Sequence, residues 1–151
     1  MKRIISSILI VIALCALCTS CTRKSFPAFT IKKESVTEIE FKQAKINPND
    51  IGNPECVKKT ITQDSDIEAV IDWAHSLKLE EHDPIEYPIQ DVRYIIVLHG
   101  KLEHRITFLD DYVLFDAKAF TYKSSSQKDE VSQKYNLLNY EQTETTLGYK
   151  N

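Results

Sequence analysis

His99 and His104 bracket the turn Gly100-Lys101-Leu102-Glu103. If that turn closes a four-residue hairpin loop, the two imidazoles stand opposite each other on one face, with Cβ atoms about 5 Å apart and within reach of a shared metal ion. No third ligand lies nearby in sequence, so a pair of structural or surface histidines is the competing reading. Glu80-Glu81-His82-Asp83 is a second cluster, placed where a helix ends and where carboxylates oppose its dipole. A cation would suit it, but a helix stopping near Leu79, followed by a solvated acidic loop before Pro84, explains the same residues. Asp110-Asp111 reads as turn chemistry rather than as a pair of catalytic carboxylates.

Other reaction chemistry finds no pattern. The chain carries no Gly-x-Ser-x-Gly elbow, no Gly-rich phosphate loop and no His-Glu-x-x-His pair. The expectation is therefore a protein that is not an enzyme and needs no cofactor. The 151 residues, with only three glycines, suit one ordinary domain. Nineteen Lys and Arg against twenty-two Asp and Glu give a formal charge of −3, without the basic excess that phosphate backbones demand, so nucleic acid is not an expected partner.

The amino-terminal residues carry an address. Lys2 and Arg3 precede an apolar run from Ile4 to Cys18 broken only by Ser6 and Ser7, the layout of a secretory signal. The run ends in Leu17-Cys18-Thr19-Ser20-Cys21, small residues directly before a cysteine. This resembles the lipobox of bacterial lipoproteins over residues 1–21, with Cys18 where that family usually carries Leu. The resemblance implies cleavage before Cys21, a diacylglycerol on its thiol, further acylation (palmitate) at the new amino terminus, and attachment to the outer face of the cytoplasmic membrane or to the outer membrane. The alternative is an uncleaved anchor, since Ile4–Cys21 is long enough to cross a bilayer core of about 30 Å. Under the lipoprotein reading two cysteines leave with the signal and one carries lipid. Cys56 is then the single thiol of the mature chain, without a disulfide partner.

Residues 1–20 are thus read as signal peptide and 21–34 as a lipid-anchored stalk, whose stretch from Thr22 extends at most about 43 Å. Arg23, Lys24, Lys32 and Lys33 suit either anionic head groups or plain solvation. Residues 35–123 form the predicted α+β domain, and 124–151 a tail with a short helix over Val131, Tyr135 and Leu138, its last ten residues mobile. In the domain, Val36–Phe41 alternates as a half-buried strand, Asn47–Pro54 is a loop, and Glu55–Thr62 is a second strand with Val57 and Ile61 on one face. A helix starts at Ser65, with Ser65 and Glu68 as a capping box and Ile67, Val70, Ile71, Ala74 and Leu77 as its buried stripe. Trp73 falls at its edge.

After Pro84 and Pro88 an antiparallel meander is expected, with turns at Gly100–Glu103, Asp110-Asp111 and Ala117-Lys118. With those turns, Ile95, Val97, Ile106, Phe108, Val113, Phe115, Phe120 and Tyr122 face the helix. Tyr94, Ile96, Leu98, Leu109, Tyr112 and Leu114 then share the opposite face, which is too apolar to leave in water. Either the tail or a partner must cover it. The resulting expectation is a single main helix packed on a meander with two amino-terminal strands, in a membrane-anchored envelope lipoprotein that binds a protein or envelope component without catalysis. The alternative is a metal-binding or metal-assisted enzyme using His99 and His104.

Overall fold

The computed structural model describes residues 31, 33–45, 55–116 and 118–148. The signal peptide, Cys21 and the Asn47–Pro54 loop lie outside them. In chain order the elements are β1 (Val36–Ala44), β2 (Glu55–Ile61), α1 (Asp64–Ser76), β3 (Leu79–His82), β4 (Val92–Gly100), β5 (His104–Leu109), β6 (Tyr112–Phe115), β7 (Lys118–Tyr122), α2 (Ser126–Leu137) and β8 (Gln142–Thr146). Short 3-10 turns occupy Lys33–Ser35 and Ile89–Asp91. The eight strands form one antiparallel sheet in the order β3-β7-β6-β5-β4-β1-β2-β8. The domain is α+β, with its helices packed on this sheet.

β1 sets the faces because its alternation is unambiguous. Ile39 and Phe41 are fully buried toward the helices, whereas Glu38 and Glu40 point to the other side. Their partners on β4 are Leu98 opposite Ile39 and Ile96 opposite Phe41. Hence Ile96 and Leu98, not Ile95 and Val97, join Ile106, Phe108, Val113, Phe115 and Phe120 in the helix-side core. The register of β4 differs by one residue from the sequence expectation. Leu98, rather than His99, pairs with His104, so the connection holds five residues instead of four. Tyr94 to Leu98 is apolar at every position, which leaves β4 without a period of its own.

α1 buries Ile67, Val70, Ile71 and Ala74, with Leu77 at its end also buried. Its start differs from the capping-box expectation, because it opens at Asp64 after Gln63 without a side-chain cap. The backbone N–H groups of Asp66 and Ile67 donate to the Gln63 carbonyl instead. Trp73 packs at the edge of the core, its ring 6.4 Å from Phe41 and 6.0 Å from Phe108. α2 covers the same face through Val131 and Tyr135, four residues apart, followed by Leu138. Tyr135 meets Phe41 edge-on at 5.2 Å and lies 5.7 Å from Tyr94, which closes an aromatic cluster under both helices.

Lys59 pins α2 to the sheet. It is 5% exposed, its ammonium sits 4.6 Å from the Tyr135 ring centroid, and it donates to the carbonyls of Tyr135 (2.8 Å) and Leu138 (2.6 Å). A cation at a helix carboxyl terminus meets the negative end of the dipole and satisfies carbonyls that have no partner within the helix.

The opposite face of the sheet is covered from within the chain. Ile85, Tyr87 and Ile89, on the segment leading to β4, pack over Val92, Ile95, Val97, Leu109, Leu114 and Ala119. Leu147, just past β8, is fully buried in the same cluster. The tail therefore divides: α2 goes to the helix side, β8 extends the edge beside β2, and Leu147 helps seal the second face. Gln142–Thr146, expected to be mobile, is a paired strand held through its backbone, which leaves no apolar pattern in the sequence. Residues 79–82, read as helix end and acidic loop, form edge strand β3 against β7. Ile31 is buried in the core and Lys33 reaches Asp72 at 2.7 Å, so the domain begins before the expected stalk ends.

Gly100 is where β4 meets the entering chain. A Cβ there would lie 1.9 Å from the carbonyl oxygen of Ser35, a backbone atom that cannot turn aside. Gly100→Ala is expected to lower unfolding free energy by about 2 kcal/mol or more in urea titrations, while Lys101→Ala at the exposed turn stays within about 0.5 kcal/mol.

Candidate functional site

The one-residue shift of β4 separates the expected histidine pair. His99 lies on the face with Glu38 and Glu40, and His104 on the helix side. The metal pair His99–His104 is thereby corrected: no ion can bridge two side chains on opposite faces of one sheet. His104 is engaged locally, with Nδ1 2.6 Å from Asp116 Oδ2 and its ring stacked on Phe115 at 5.7 Å. Asp116 also accepts from the Arg105 N–H at 2.9 Å and adopts φ 45° in the β6–β7 turn, a left-handed conformation that its short side chain tolerates.

The shift also divides the proposed binding face. Tyr94, Ile96 and Leu98 belong to the helix-side core, whereas Leu109, Tyr112 and Leu114 line the second face beneath Ile85, Tyr87 and Ile89. They form no common surface. His82 packs against Tyr112 with ring centroids 5.2 Å apart, and its Nδ1 lies 2.9 Å from the Asp83 carbonyl.

What the register does bring together is Glu38, Glu40 and His99, each offering a ligand atom within 4.8 Å of the others. Glu38 sits directly across the β1–β4 ladder from His99, and Glu40 is two residues further along the same face. His99 Nδ1 lies 3.2 Å from Glu103 Oε2, while Nε2 faces Glu40 Oε2 at 3.9 Å. Nε2 is buried and has no hydrogen-bond partner. Glu40 is only 16% exposed and is held by two lysines: Lys42 at 3.1 Å on Oε2, and Lys58 on Oε1. Burial alone raises the Glu40 pKa, but the hydrogen bonds and charges of Lys58 and Lys42 outweigh it and hold the carboxyl below its ordinary value of 4.5.

Sequence reasoning missed Glu38 and Glu40. The signal was the Thr-Glu-Ile-Glu-Phe alternation, which puts two acids on one strand face, but their neighbour comes from a strand more than fifty residues away.

Two neighbouring acids, Asp110 and Asp111, are each matched by a base. Asp110 receives both Nε (2.7 Å) and a terminal nitrogen (2.6 Å) of Arg93, which holds its carboxyl below the ordinary range, and Asp111 accepts from Lys128 at 2.6 Å. Arg93, Asp110 and Lys128 line a cavity of about 130 Å³ together with Tyr94, Phe108, Tyr122 and Val131. Cys56 is fully buried, and burial pushes its thiol up, so it stays protonated and poorly nucleophilic.

No family model matches the chain, no curated protein matches it, and no solved structure matches it. Among the described residues, no helix is long and apolar enough to cross a membrane.

Because the Glu40 pKa is depressed on folding, its stabilising contribution is complete above about 4.5 and is lost as pH falls through the lower folded value. Urea titrations from neutral pH downward should show wild type losing stability in that window. Glu40→Gln should be less stable near neutrality and lose less on acidification. Parallel pH curves for the two proteins would contradict the ion-pair arrangement.

Proposed function

We propose that this chain is a membrane-anchored lipoprotein of the cell envelope whose α+β domain binds a protein or envelope component without catalysis. The observation that carries this reading is the layout of residues 1–21, with two cations, an apolar run and small residues directly before Cys21. Each buried methylene contributes about 0.8 kcal/mol to membrane binding, so two or more acyl chains on Cys21 and its amino group would hold the protein durably. From Cys21 to Ile31, where the chain enters the domain, the nine intervening residues span ten peptide steps, at most about 35 Å. The domain would therefore work close to the bilayer.

The binding half of the proposal no longer rests on Tyr94, Ile96, Leu98, Leu109, Tyr112 and Leu114, which are divided between two covered faces. Its support is the polar end of the second face, where Glu38, Glu40, Lys58 and His99 stand partly exposed on paired strands. Side chains on a sheet keep their geometry better than side chains on a loop, which suits recognition.

Intact mass spectrometry of the protein purified from its own membrane tests the anchor. The expected mass is that of residues 21–151 plus acyl chains, with the acyl mass absent from Cys21→Ala. A mass equal to the uncleaved chain, unchanged by Cys21→Ala, would overturn the lipoprotein reading and make residues 4–21 a membrane helix.

A further inference from the structure

The geometry points to a divalent transition-metal site, of the kind that takes Zn2+, built from Glu38, Glu40 and His99 at the β1–β4 pairing. His99 Nδ1 faces the Glu103 carboxylate at 3.2 Å, a contact that places a proton on Nδ1, so that in the neutral ring Nε2 is the nitrogen available as a ligand. Nε2 is buried, has no hydrogen-bond partner and lies 3.9 Å from Glu40 Oε2. A neutral imidazole nitrogen beside a carboxylate oxygen is a pair that a shared metal ion would join. A second imidazole nitrogen bonded to a carboxylate is also the arrangement that orients metal-ligating histidines and raises their basicity. Two carboxylate oxygens and one imidazole nitrogen, all within 4.8 Å of one another, form a donor set that zinc accepts, with remaining positions open to water. The ligands sit on neighbouring paired strands, Glu38 directly opposite His99.

Lys42 and Lys58 oppose the ion, because both already hold Glu40. They would keep affinity modest and make the site tunable: removing Lys58 frees one oxygen of Glu40. Surface adsorption of zinc to scattered histidines would not respond in that way.

The test is isothermal calorimetry of the chelator-treated full chain in detergent, titrated with Zn2+ near neutral pH, alongside thermal melting of every variant without metal to establish that each is folded. Saturable single-site binding is expected. His99→Gln and Glu38→Gln should each weaken it well beyond the effect of Glu103→Gln, which removes only the orienting carboxylate and should cost about 10-fold. His104→Gln should leave affinity unchanged, and Lys58→Met should tighten it several-fold. Absence of saturable heat up to about 1 mM Zn2+, or binding retained in folded His99→Gln, would overturn the site.

Discussion

The register of β4 between β1 and β5 is the constraint on which the rest of the molecule depends. A strand has a period of two, so moving it by one residue exchanges every side chain between the faces. With Leu98 opposite both Ile39 and His104, one face of β4 completes the core under the helices and the other carries His99 to the carboxylates of β1. Gly100 helps fix this position, because only a residue without Cβ lets the end of β4 pass the carbonyl of Ser35.

The two faces then solve different problems. On the helix side, Phe41, Trp73, Tyr94, Phe108 and Tyr135 interlock, and each fully buried large side chain contributes about 1.5–3 kcal/mol. Lys59 lies among them, its charge held by the carbonyls that end α2. Burial lowers its pKa, a cost offset by those hydrogen bonds. On the second face the apolar half is sealed by Ile85, Tyr87, Ile89 and Leu147, while the other half concentrates charge around Glu40. That charged end combines partial exposure with a buried imidazole nitrogen that has no hydrogen-bond partner.

Much of the architecture was legible in residue patterns. The α1 stripe, the alternation of β1, the shared face of Val57 and Ile61, and the core face of β5 to β7 all follow from local periodicity, although Lys118, expected in a turn, opens β7 opposite Phe115. What escaped was decided by partners distant in sequence. β4 is apolar on both faces, so only β1 could choose its register; β8 is polar throughout and is held by backbone pairing to β2; β3 resembles an acidic loop because Glu80 and Glu81 are its centre and Asp83 follows it. The candidate site is half visible for the same reason: His99 stands out beside the turn, but its carboxylate neighbours Glu38 and Glu40 come from β1 rather than from across that turn.

Nuclear Overhauser contacts from the two imidazole rings test the register most directly. The account predicts cross-peaks from the His99 ring to the side chains of Glu38 and Glu40, and from the His104 ring to that of Phe115. Cross-peaks between the rings of His99 and His104 would place both on one face and contradict it.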